Sequence, residues 1–87
     1  MVIKSLTVAN PTGLHLRPAG LLAKEAAAYQ CKIYIRRKEQ TVDAKSVLKL
    51  IKAGIKCGEK IELFCDGTEE ERAAETVARL IESELDF

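Results

Sequence analysis

The chain has 87 residues, a length that suits one domain around one core, and its 47% hydrophobic and 31% charged residues with 5 Gly and 2 Pro exclude collagen-like, low-complexity and disordered classes. Its net charge of +1 hides an asymmetry: residues 1–60 carry twelve basic against four acidic side chains, a net +8, while residues 61–87 carry two against nine, a net −7. A fold that keeps these segments apart has one face suited to an acidic partner, although charges of this kind also simply solvate exteriors.

In chain order, Val2 to Val8 is rich in Val, Ile, Leu and Thr and predicts a first strand, closed by the loop signal Asn10-Pro11-Thr12-Gly13. Its start has no basic leader before an apolar stretch, and charges interrupt every apolar segment well before about 18 residues, so neither secretion nor membrane spanning is expected. Ala19, Leu22, Ala23 and Ala26 recur at helical spacing. Pro18 is tolerated only in a first turn, so the helix should run from near Leu16 to about Ala28. Lys32 to Arg36 alternates, with Ile33 and Ile35 on one face and Tyr34 and Arg36 on the other; a turn at Lys38-Glu39 leads into a short strand over Gln40 to Val42.

Val47, Leu50 and Ile51 share a stripe on a second helix, with Ser46 or Asp43 as amino cap, Gly54 as stop and Leu48 off the stripe. Lys60 to Asp66 predicts a fourth strand, with Ile61, Leu63 and Cys65 of one parity and Gly67 at its end. Thr68 followed by Glu71 is a capping-box signal for a last helix bearing Ala73, Ala74, Val77, Leu80 and Ile81. The order β-α-β-β-α-β-α predicts an α+β fold, a four-stranded, mainly antiparallel sheet with three helices on one face and the other face wet. Cys31, Cys57 and Cys65 are odd in number and widely spaced with no CxxC pair, which suits three buried, reduced thiols in a cytosolic protein.

His15 is the only histidine, and it stands at the loop-to-helix junction in Gly13-Leu14-His15-Leu16-Arg17-Pro18-Ala19. A helix start offers unpaired backbone N–H groups and a partial positive charge, a cradle for phosphoryl oxygens that Pro18 does not impair. The same field disfavours imidazolium, so a neutral ring keeps its nucleophilic lone pair; once phosphorylated, its added charge is held by the helix end and by Arg17. Without that surrounding pattern, a lone histidine at a helix start is most often a cap or a solvent-exposed side chain.

This segment, together with Asp43-Ala44-Lys45-Ser46-Val47-Leu48, Gly54 and the chain length, closely resembles HPr, the histidine phosphocarrier family of the bacterial phosphoenolpyruvate-dependent sugar phosphotransferase system. The resemblance spans nearly the whole chain as one HPr-like domain over residues 1–87. It implies an open-faced β-sandwich in which His15 accepts phosphate at Nδ1 from phospho-Enzyme I and passes it to Enzyme IIA domains. On this reading the protein is a carrier rather than a self-contained enzyme, cytoplasmic, monomeric, and without metal, ATP or other cofactor in the relay. His15 matches the phosphorylated histidine, Arg17 the active-site arginine and Pro18 the helix-start proline, with Leu16 adjoining the phosphate. Ser46 matches a regulatory serine that HPr kinase/phosphorylase phosphorylates in many Gram-positive bacteria, where a catabolite-control transcription factor is a further partner; a plain helix cap is the competing role. Phosphate there adds about −1.5 to −2 charge within a basic region and should weaken docking to an acidic partner.

Val47, Leu48 and Ile51 correspond to the family's apolar docking patch, joined by Leu16 and Gly20. Lys24, Lys45, Lys49 and Lys52 supply a basic rim for a transient interface near or below about 1,200 Å². Lys49, Lys52, Ala53 and Leu16 depart from the residues common in the family, adding charge to this face and reshaping its apolar part while leaving phosphohistidine chemistry intact. A paralogue serving a nitrogen-related, fructose-specific or catabolite-regulatory branch is the alternative. Two other classes compete less well. An RNA-binding α/β module would use Tyr34, Arg36 and Arg37, but Gly54 and Gly58 enclose three residues rather than two and no RNP-type aromatic pair exists, so no nucleic acid is expected. A small phosphatase would need an acid/base partner that a lone histidine lacks.

Overall fold

The computed structural model describes residues 1–83 apart from Thr12 and His15, and Leu16 by its backbone alone. Seven elements follow in the predicted order: β1 (Val2–Thr7), α1 (Leu16–Ala27), β2 (Lys32–Arg37), β3 (Gln40–Asp43), α2 (Val47–Ala53), β4 (Lys60–Asp66) and α3 (Glu70–Ile81). The strands form one sheet in the order β1-β4-β2-β3, with every neighbouring pair antiparallel. β4, last in sequence, therefore sits centrally, pairing Ile3 with Phe64 on one side and Tyr34 with Phe64 on the other.

Alternation along the strands sends Ile33, Ile35, Val42, Ile61, Leu63 and Cys65 to one face, all buried, where the helices cover them. The helices answer largely with alanine: Ala19, Ala23 and Ala26 of α1, and Ala73, Ala74 and Ala78 of α3, are buried alongside Leu22, Val77 and Ile81. Small residues let helix backbones approach the sheet closely, and one continuous cluster results. The sheet's other face is open to solvent. α1 packs between α2 and α3, and the Tyr29 hydroxyl bonds to Thr76 Oγ1 at 3.0 Å, tying the region after α1 to α3. No helix among the described residues is long and apolar enough to cross a membrane.

Three expectations need correction. α3 is not opened by a Thr68 capping box: the chain passes Gly67 at φ 128° and Glu69 at φ 64°, and no side chain caps at Glu69. Glu70 instead reaches back, its Oε1 accepting from the Gly67 N–H at 3.1 Å and its Oε2 meeting the Met1 ammonium at 2.8 Å. These two contacts, the ammonium first, hold the Glu70 carboxyl below the usual carboxylate range. Cys57 is exposed, because it lies in the loop after α2 rather than on an alternating strand; Cys31 and Cys65 are buried, and burial pushes the Cys65 thiol up to about 11. Val47 does not share the buried stripe of α2: Leu50 is buried, Ile51 half-buried and Val47 exposed.

Candidate functional site

The site is built where two loops zip together at one end of the sheet. After β1, Val8 N–H donates to Glu59 O at 3.0 Å and Gly58 N–H returns a bond to Val8 O at 2.7 Å. Gly13 N–H donates to Asn10 O at 2.9 Å, closing a turn, and Leu14 N–H donates to Ile55 O, also at 2.9 Å. Gly13 is at φ 69°, and a Cβ there would stand only 2.5 Å from Ile55 O, so the close approach of the two loops requires glycine at that position. Leu14 is buried and anchors the loop just before α1 begins at Leu16.

The facing loop is itself fixed. Arg37 donates from Nη2 to Ala53 O at 2.6 Å and from Nη1 to Glu59 Oε2 at 3.0 Å, and the same carboxylate oxygen accepts from Lys56 N–H at 2.7 Å. The Lys56 N–H, with Arg37 second to it, holds the Glu59 carboxyl below its ordinary range. Arg37 thus joins the end of β2, the end of α2 and the loop that carries Ile55. Gly54 at φ 63° stops α2, its N–H donating to Ile51 O.

The first turn of α1 contains no acidic residue, so no side chain of that turn offsets the positive end of its dipole. Arg17 is exposed in that turn, Pro18 is buried and Gly20 is half-buried. Pro18 costs no helical hydrogen bond there, since first-turn amides have no intrahelical acceptor. His15 and the side chain of Leu16 lie outside the described residues.

α2 runs back from this end of the molecule. Of the two candidate caps Ser46 is the one that acts on α2, its Oγ accepting from Lys49 N–H at 3.3 Å, while Asp43 Oδ1 accepts from Lys45 N–H at 2.9 Å in the turn before the helix. Lys45 is half-buried, and its Nζ donates to Tyr29 O at 2.8 Å, just past the end of α1. Gly54 lies next to the Ile55 that contacts the His15 loop, and Ser46 lies at the opposite end of the seven-residue helix, about 10 Å away along its axis. Between them Leu48 is 71% exposed, and Val47, Lys49 and Lys52 also face solvent, as does Lys24 on α1. Of the nine acidic residues after Lys60, Glu70, Glu71 and Glu75 lie on α3 beside Arg72 and Arg79, whereas α2 carries Lys49 and Lys52 and no acid, so the basic end of the helical layer is α2.

Sequence reasoning placed the junction and its arginine but missed the buttress. Arg37, Glu59 and Ile55 act on the loop from positions some 20 to 45 residues away, and only the Asn10-to-Gly13 turn signal hinted that the loop was held.

The geometry matches a known family. The family model described as "PTS HPr component phosphorylation site" matches residues 2–83. The chain is 33% identical to Phosphocarrier protein HPr of Treponema pallidum over 86 residues, covering 99% of this chain and 98% of that protein. It is 37% identical to HPr-like protein Crh of Halalkalibacterium halodurans over 84 residues, covering 97% and 100%. The solved structure of HPr-C-His from Thermoanaerobacter tengcongensis superposes with a TM-score of 0.91 at 31% identity, covering 98% of this chain and 100% of that one.

Proposed function

Because the chain belongs to the HPr phosphocarrier family of the phosphotransferase system, we propose that His15 accepts a phosphoryl group from phospho-Enzyme I and passes it to Enzyme IIA domains. The single observation that carries this reading is the built loop-to-helix junction: a turn closed at Gly13 against Ile55, followed at once by a helix whose first turn holds Arg17 and no acid. In each transfer an imidazole nitrogen lone pair attacks phosphorus while the bond from phosphorus to the donor's nitrogen breaks and its electron pair returns to the donor ring. The α1 amides and Arg17 hold the phosphoryl oxygens while charge moves. Leu48, with Val47 and the rim of Lys24, Lys49 and Lys52, docks the acidic partner, and release is fast because the patch is small.

Ser46 is the second modification site of this reading. A phosphate on its Oγ sits at the start of α2 yet places negative charge inside the basic docking surface, so it acts on binding rather than on chemistry at His15. A Ser46→Asp variant should bind Enzyme I several-fold more weakly at low salt, with the gap closing as salt rises; equal affinity throughout would remove this role.

The likeness to Crh supports a second reading with the same site and different clients, a paralogue serving a regulatory branch. Single-turnover transfer from labelled phospho-Enzyme I, followed by a panel of IIA domains, decides between them. Label passing to sugar-transport IIA domains supports the first reading, and label accepted from Enzyme I but passed to none supports the second. Failure to accept label from phospho-Enzyme I rejects both.

A further inference from the structure

The solvent face of the sheet is sorted by register into three rows. Ile3, Phe64 and Tyr34 stand side by side on β1, β4 and β2, with Ile3 53% exposed and the two aromatic rings half-buried. Ser5, Glu62 and Arg36 form the next row; Thr7 and Lys60 form the third, with Lys38 just past the end of β2. Successive rows are two residues, about 7 Å, apart. The second and third rows line an open groove of about 530 Å³. Arg36 is steadied by its Nε–H donating to Lys38 O at 3.2 Å; the Lys38 charge acts at a distance on the Glu59 carboxylate, and none of Arg36, Lys38 and Lys60 forms a direct salt bridge among the described residues.

The chemistry changes from row to row: an aromatic platform, then a carboxylate flanked by a hydroxyl and a guanidinium, then the ammonium groups of Lys60 and Lys38. A simple anion would leave the platform unused, and an acidic peptide would set a second negative charge against Glu62. A ligand that is flat and aromatic at one end, rich in neutral hydroxyl donors in the middle and anionic at the other end satisfies all three rows at once. We propose that this face binds a free mononucleotide, its base on Phe64 and Tyr34, its ribose hydroxyls donating to Glu62 and its 5′-phosphate held by Arg36, Lys38 and Lys60. This goes beyond the phosphoryl relay, since these rows lie on the face of the sheet that α1 and α2 do not cover.

The test is a titration of the ¹⁵N-labelled chain and of its His15→Ala variant with AMP, adenosine, ribose 5-phosphate, inorganic phosphate and a short oligoadenylate. The expected result is saturable AMP shifts at Ile3, Tyr34, Phe64, Arg36, Lys38 and Lys60, unchanged by His15→Ala, with adenosine and ribose 5-phosphate each at least about tenfold weaker. A Lys38→Glu/Lys60→Glu double variant, both positions exposed, should stay folded, its melting temperature lowered only by the lost attraction between Lys38 and Glu59, and bind AMP at least about tenfold more weakly. The proposal is overturned if AMP binds no tighter than ribose 5-phosphate, if shifts are confined to the start of α1, or if the double variant binds AMP unchanged. It is also overturned if oligoadenylate binds more than about tenfold tighter per molecule than AMP, which would make the ligand RNA.

Discussion

Replacing Gly13 by Ala isolates the contact that holds the His15 loop. At φ 69° any residue with a Cβ costs about 1–2 kcal/mol. The new Cβ would also lie 2.5 Å from Ile55 O, 2.9 Å from Lys56 Cα and 3.2 Å from Cys57 N, and because these are backbone atoms no rotamer change relieves the overlap. One loop must move, and the Leu14 N–H to Ile55 O bond at 2.9 Å goes with it, at about 1–3 kcal/mol for a donor left buried. The total is about 2–5 kcal/mol, and at roughly 4–8 °C per kcal/mol for a domain of this size the melting temperature should fall by at least about 8 °C. Gly54→Ala is the control: φ is 63°, nothing stands within 4 Å, and only the conformational cost of about 1–2 kcal/mol applies. Both substitutions restrict the unfolded chain equally, so the difference between them measures the clash and the lost bond. Urea and thermal unfolding of the two variants under one buffer provide the comparison. Equal destabilisation would refute the loop-to-loop account.

Arg17→Ala should slow single-turnover phosphoryl transfer on the order of a hundredfold while Enzyme I affinity stays within about twofold, since the guanidinium acts on phosphate rather than on docking; rapid-quench rates beside calorimetry check this. The Glu59 carboxyl is held below its ordinary 4.5, so its stabilising contribution is present above that pH and is lost as pH falls through its depressed value. Glu59→Gln should therefore be modestly less stable than the parent chain at pH 7, with the difference shrinking below about pH 4.5, as a series of urea melts at different pH would record. Of the three thiols, Cys57 alone should react rapidly with a thiol-specific reagent in the native protein; Cys31 and Cys65 should react only on unfolding, which mass spectrometry of labelled peptides reads directly.

What could be read from the sequence was what depends on near neighbours. Strand parity from Lys60 to Asp66 needs only alternation, the stop at Gly54 needs only a residue at ease with positive φ, and Pro18 marks a first turn by lacking an N–H. The structure departs from the sequence reading where a distant group intervenes. Glu70 displaces Thr68 as the stabiliser of the α3 start because its carboxylate meets both the Gly67 amide and the Met1 ammonium, a group at the far end of the chain. Lys45 is held in place because Tyr29 O, just past the end of α1, lies within reach of its ammonium. Tyr34 and Phe64 become an aromatic pair only through the β2–β4 register, across 30 residues, so a search for a local aromatic motif does not find them. The resemblance carried by residues 13–19 and 43–48 reached the family, whereas the Arg37–Glu59 brace behind the site belongs to pairings that no short motif encodes.

The relay itself is tested most directly by incubating the chain and its His15→Ala variant with labelled phospho-Enzyme I and reading both the amount and the stability of the protein-bound phosphate. The account predicts close to one phosphate per chain, lost in acid and retained in alkali, none on the variant, and the same melting temperature for both proteins. Label on the His15→Ala chain, or a phosphate that survives acid, would contradict it.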